Sequence, residues 1–106
     1  MKYKVERTDT ADSLIRKTVL FIAENFGNEV ALDKLNYLEE SIMSLEDDPY
    51  IGAVPRYNVL KRQGYLVLIL EKDLVFYKVD EKRKLVTVYA VVDQRQDYLS
   101  TKTSHT

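Results

Sequence analysis

Polar and apolar positions alternate at the start of the chain, where Tyr3 and Val5 are interleaved with Lys2, Lys4 and Glu6. That period of two predicts a short half-buried strand. The period then lengthens. Leu14, Ile15, Val19, Ile22 and Phe26 recur at helical spacing, and Leu20 and Phe21 widen the stripe. Thr8-Asp9-Thr10 offers side-chain oxygens to cap this helix, and Gly27 suits the left-handed residue beyond its end. Asn28 is placed to cap a second helix at once, with Ala31, Leu35, Leu38, Ile42 and Leu45 as its stripe. The acids Asp33, Glu39, Glu40 and Glu46 fall mostly off that stripe. Two long helices joined by about two residues must run antiparallel and pack together. Pro49 keeps the second helix from continuing.

Residues 49–63 form the longest irregular stretch. After Gly64 the pattern becomes that of strands, over 65–71, 74–79 and 85–92. They are separated by a tight turn or a small break at Lys72-Asp73 and a charged turn from Asp80 to Lys84. Short connections make them an antiparallel meander. The predicted fold class is therefore α+β, an N-terminal strand and helical hairpin packed on a C-terminal antiparallel sheet. It forms one domain over residues 1–99, followed by a polar tail, 100–106, expected to fray. Val19, Leu35, Leu38 and Ile42 are the expected core between hairpin and sheet. The first and last meander strands are apolar on both faces, yet one hairpin covers only one face. The other face should present Leu, Val and Tyr side chains, and such a patch marks a partner site.

Composition narrows the chemistry. The 106 residues are 45% apolar and 31% charged, an ordinary globular mix. There is no cysteine, which excludes disulfides, thiolate zinc sites and cysteine nucleophiles and fits a reducing cytoplasm. No apolar run approaches the ~18 residues of a membrane span. The first residues lack the apolar stretch of a secretory signal. A cytoplasmic protein with no membrane partner is expected. The net charge of −1 hides an uneven distribution: +2 over residues 1–23, −7 over 24–48 and +4 over 54–84.

Most enzyme signatures are missing. The three glycines lie too far apart for a phosphate-cradling loop, and the one histidine is His105, next to the last residue. Glu46-Asp47-Asp48 lies at a helix C-terminus, where a solvated end or a contact for a basic partner is the simpler reading than a metal site. No metal, cofactor or small-molecule substrate is expected. Two groups remain. Arg56, Tyr57, Lys61, Arg62 and Tyr65 interleave bases with aromatics, which suits phosphates and stacked bases; the bland alternative is a surface loop resting its rings on the core. Asp93-Gln94-Arg95-Gln96-Asp97-Tyr98 lies where the last strand ends, a common place to build a site. There Arg95 can stabilise phosphate charge and Tyr98 can move a proton if its pKa is lowered. The bland alternative is an Arg95–Asp97 surface pair worth under about 1 kcal/mol.

The order of these elements resembles the RelE/ParE superfamily of bacterial toxins. The resemblance spans residues 3–99. It rests on Tyr-Lys-Val in the first strand, Ala11-Asp12, Asn25-Phe26-Gly27 with Ala31, Asp48-Pro49-Tyr50-Ile51-Gly52 and Gly64-Tyr65, then on Leu74 to Asp80 and Asp93 to Tyr98. It implies the toxin of a type II toxin–antitoxin pair, which either cuts messenger RNA on the ribosome or poisons DNA gyrase. It also implies a labile antitoxin whose extended and helical C-terminal segment wraps the toxin. RNA-cleaving members place Lys or Arg on the first two meander strands, whereas Leu66 to Leu70 is wholly aliphatic here and Asp73 stands where such members often carry Arg. Only Arg95 and Tyr98 match a terminal Arg and Tyr, as the catalytic pair if the chain is a nuclease. In-line phosphoryl cleavage needs several placed charges. The resemblance therefore favours a ParE-like inhibitor that acts by binding gyrase, an enzyme only if the chain is RelE-like, and the basic and aromatic group Arg56, Tyr57, Lys61, Arg62 and Tyr65 supplies the target-binding candidates. The alternatives are a ribosome-dependent endoribonuclease and a degenerate toxin that retains only antitoxin binding.

Overall fold

Thr8 ends a short strand and starts a long helix. Its Oγ1 accepts a hydrogen bond from the Ala11 N–H at 3.1 Å, so one of the four orphan donors of the first turn is satisfied. The strand before it is β1 (Lys4–Arg7) and the helix is α1 (Asp9–Phe26). The computed structural model describes residues 2–94. Gly27 ends α1 with φ 98° and ψ 162°, a backbone conformation open to little but glycine. It is also the N-cap of α2 (Asn28–Met43), so Asn28 is the first helical residue and not the cap, and no side chain caps this helix. A single 3₁₀ turn, Ser44–Glu46, finishes α2 before Pro49.

The remaining elements are a short α3 (Asn58–Arg62) and three strands, β2 (Leu66–Ile69), β3 (Asp73–Asp80) and β4 (Leu85–Asp93). The α3 turn lies inside the stretch expected to be irregular; five residues are too few for a helical period to show. The sheet order is β1-β4-β3-β2, with the meander antiparallel and β1 joined to β4 in parallel. Asp73 opens β3 instead of forming the preceding turn.

Side chains alternate across this sheet. Leu68, Val75, Tyr77, Val86, Val88 and Val91 face the hairpin and join Ala11, Ile15, Leu38, Ile42 and Leu45 in one core, with Val19 and Leu35 packed at its margin. The phase expected for α2 is correct. On α1 only Ala11 and Ile15 are buried, both in the first two turns. Leu20, Phe21 and Phe26, read as part of the apolar stripe, are 56, 54 and 65% exposed. The hairpin tip thus carries its apolar face beyond the core. Arg7 ties β1 to both helices through Asp12 at 2.8 Å and Glu39 at 3.7 Å.

Candidate functional site

Three surfaces gather the side chains that can meet a partner. The first is the sheet face turned away from the hairpin. The β3–β4 register runs Phe76 opposite Ala90 and then Tyr77 opposite Val88, which leaves Tyr89 as the extra residue of a β-bulge. The bulge brings Tyr89 against Tyr65, edge to face, with centroids 5.4 Å apart. The Lys78 ammonium lies 4.6 Å from the Tyr65 centroid and 5.4 Å from that of Tyr89. Each such contact is worth about 0.5–1 kcal/mol at an exposed site. A recess of about 430 Å³ continues from Lys78 and Tyr89 toward Lys82 and Arg83 in the β3–β4 turn. One fixed cation between two rings can hold an anion or a stacked group; Lys82 and Arg83 share the recess with Asp80 and Glu81, and Arg83 is paired with Asp80 at 3.9 Å, so acids offset the bases there. Leu74, Phe76, Ala90 and Val92 on this face are half-buried, so the patch is less bare than the alternation suggested.

The second surface is an open groove of about 810 Å³ between the hairpin tip and the end of the sheet, lined by Phe21, Ile22, Phe26, Val30 and Tyr37 on one side and Val91 and Val92 on the other. Lys34 stands at its base and hydrogen-bonds Asp73 Oδ2. Asp73 is 1% exposed, and its Oδ1 has no hydrogen-bond partner among the described residues. The Tyr37 hydroxyl accepts the Glu71 N–H at 3.4 Å, and the Gln94 side chain donates to the Leu70 carbonyl. The β2–β3 turn is therefore held from α2 and from the end of β4 together.

The third surface is the segment from Pro49 to Tyr65. Its anchors point inward. Pro49 and Pro55 are buried, and Ala53 exchanges backbone hydrogen bonds with Val67 at 2.8 and 2.9 Å. The Gly52 N–H donates to the buried Tyr77 hydroxyl at 3.0 Å. Burial pushes the Tyr77 phenol up from its ordinary pKa, so it stays neutral. A Cβ on Gly52 would lie 2.6 Å from Tyr77 Oη and 2.8 Å from the Val67 carbonyl oxygen. Gly52→Ala should therefore cost about 1–3 kcal/mol in a urea titration, and less in a Tyr77→Phe background, where the nearest atom is gone. A variant as stable as the wild type would mean that the loop does not rest on Tyr77.

Next to this loop, Glu81 accepts hydrogen bonds from Tyr3 at 2.7 Å, from Tyr50 and from Lys84. The Lys84 bond, followed by the two phenols, holds Glu81 down at about 2. Hydrogen bonding to Glu81 pushes Tyr50 up to about 12. Both groups therefore keep one protonation state across neutral pH, and the staple between β1, the loop and the β3–β4 turn is not a pH switch.

The predicted residues divide between these surfaces. Tyr65 belongs to the ring cluster. Arg56 and Tyr57 precede α3, and Lys61 and Arg62 form its last turn, all four exposed. Arg95 and Tyr98, like the tail 100–106, lie outside the described residues. Lys78 was missed as a site residue. It puts a cation on the second meander strand, and its signal is a lone base within the run Leu74 to Val79. Among the described residues no group of three or more His, Cys, Asp or Glu could hold a metal, and no helix is long and apolar enough to cross a membrane.

Residues 5–98 match the family of ParE toxins of the type II toxin–antitoxin system parDE. No curated protein sequence matches the chain. Among solved structures, the chromosomal ParDE system of P. aeruginosa superposes with a TM-score of 0.72 at 18% identity, over 87% of this chain and 96% of that one. The RelBE2 toxin–antitoxin complex of Mycobacterium tuberculosis gives 0.65 at 18% identity, over 89 and 93%. A free mutant of the E. coli toxin RelE gives 0.60 at 16%, over 95 and 93%. At such identities these likenesses show the RelE/ParE fold alone.

Proposed function

Because the chain belongs to the ParE toxin family of type II toxin–antitoxin systems, we propose that it halts growth by binding DNA gyrase and is neutralised by a cognate antitoxin seated in the groove of the hairpin tip. The observation that carries the gyrase reading is the charge on the sheet. Lys78 is the one basic residue on the three meander strands, and its ammonium is already engaged by two tyrosine rings. Cleavage of a phosphodiester needs several donors placed around the developing charge, and losing one such donor costs about 10²–10³ in rate. A binding inhibitor needs no such array. The antitoxin reading rests on the exposed Phe21, Phe26 and Val30 beside Val91 and Val92, an apolar channel shaped for an amphipathic segment. The similar M. tuberculosis structure is itself a toxin–antitoxin complex.

The second reading, a ribosome-dependent endoribonuclease, draws on the Lys78–Tyr65–Tyr89 cluster, where a base could stack and a phosphate meet a cation. Induction of the chain without its antitoxin separates the two. The expected result is loss of supercoiling by purified gyrase, double-strand breaks in the chromosome and intact messenger RNA. Tyr98→Phe should then weaken toxicity only modestly, since a hydroxyl hydrogen bond is worth about 1 kcal/mol. Messenger RNA cut on ribosomes by the wild type but not by Arg95→Ala overturns the gyrase reading.

A further inference from the structure

We propose that the corner formed by residues 53–62 is where this toxin docks its target, that it fits an acidic and partly apolar protein surface, and that it is separate from the antitoxin groove. The inference rests on the toxin reading above and adds the place and the chemistry of the partner. Charge is the first observation. Between Pro49 and Leu70 there is no acidic residue, and the three charged residues there are Arg56, Lys61 and Arg62. All three are exposed, and none is held in an ion pair among the described residues. The neighbouring segment 24–48 carries −7, so the basic corner is local, and unlike the β3–β4 turn, where Lys82 and Arg83 stand beside Asp80 and Glu81, it holds no acid that would repel an acidic partner.

Exposure is the second. The loop buries its prolines and turns Val54, Tyr57 and Val59 outward, 59, 44 and 56% exposed. It is pinned by the Ala53–Val67 bridge and by the Tyr65 N–H, which donates to the Leu60 carbonyl at 3.1 Å. A surface ordered before binding pays less entropy on docking. Aliphatic side chains set among the bases favour a protein over a nucleic acid, whose backbone would meet Val54 and Val59 without gain. Position is the third. The corner adjoins Tyr65 at one end of β2, whereas the groove is lined by Glu71 and Lys72 beyond its other end. The four residues of β2 lie between them, about 13 Å at 3.3 Å each.

The test combines Arg56→Glu, Lys61→Glu and Arg62→Glu in the full chain. The triple variant should lose growth inhibition at least about tenfold, the scale expected for reversed charge at a complementary interface. It should melt within about 4 °C of the wild type, as exposed substitutions do. It should still co-purify with the protein of the neighbouring reading frame, whereas Phe26→Glu, in the groove, should not. A triple variant as toxic as the wild type overturns the proposal. So does one that loses both toxicity and the co-purified protein, since target and antitoxin would then share the corner. If the wild type binds a labelled single-stranded oligonucleotide and the triple variant does not, the corner serves nucleic acid and the proposal falls. A wild type without toxicity removes the toxin reading itself, and this inference with it; an equally toxic variant removes only the inference.

Discussion

Replacing Lys34 with methionine should destabilise the protein by about 3–5 kcal/mol, the range for leaving one member of a buried ion pair without its partner. Asp73 is 1% exposed, its Oδ1 has no donor among the described residues, and Lys34 supplies the ammonium on Oδ2. Methionine keeps most of the lysine's apolar stem and removes only the charge, so packing changes little while the carboxylate stays buried alone. The double variant Lys34→Met, Asp73→Leu should recover most of the loss, because an apolar pair of similar volume carries no desolvation cost. Urea titrations of the wild type, both single variants and the double variant close the cycle. A loss below about 1 kcal/mol in Lys34→Met would mean that water, not Lys34, satisfies Asp73.

That pair also shows why part of the molecule was hidden in the sequence. Asp73 reads locally as a turn residue after Lys72, and turns are where aspartate belongs. What buries it is Lys34, 39 positions earlier, brought over the sheet by the hairpin. No local pattern carries that pairing. The hairpin itself was legible because a stripe at helical spacing needs only nearby residues: Leu38, Ile42 and Leu45 are all buried, as their spacing requires. The same stripe misleads on α1. Periodicity assigns a face to a helix but not the length over which that face is covered, so Phe21 and Phe26, which belong to the apolar stripe, border the groove and not the core.

The surfaces were legible in the same uneven way. Bases and tyrosines from Arg56 to Tyr65 stand close in sequence, and a local reading finds them. The Lys78–Tyr65–Tyr89 cluster depends on a bulge that moves Tyr89 by one register position, and a bulge leaves no mark in an apolar strand such as Leu85 to Asp93. Gly52 was visible only as part of a family pattern; its physical reason is the Tyr77 hydroxyl beneath it. Arg95 and Tyr98, on which the nuclease reading depends, fall beyond Gln94, the last described residue. Their part in toxicity is a matter for the cleavage assay.

Leu38→Ala should cost about 2–5 kcal/mol, the range for truncating a core leucine when transfer and cavity terms add. Leu38 is fully buried on α2, in one cluster with Ile15 of α1 and Val75, Val86 and Val88 of the sheet. Few neighbours can collapse into the space, because most of the sheet side is made of short β-branched valines fixed by the strands. For a domain of this size each kcal/mol lowers the melting temperature by roughly 4–8 °C, so the change is easily read by thermal unfolding. Leu20→Ala is the control: that side chain is 56% exposed, and its loss should stay within about 0.5 kcal/mol. The comparison bears on function because α2 also carries Lys34 and Tyr37, which hold the β2–β3 turn at the base of the groove. A cavity under Leu38 loosens the seat of those two residues as well, so the variant should bind the antitoxin more weakly in proportion to its lost stability. If Leu38→Ala and Leu20→Ala cost the same, the rotational phase of α2 is wrong, and the groove, which depends on that phase, is wrong with it.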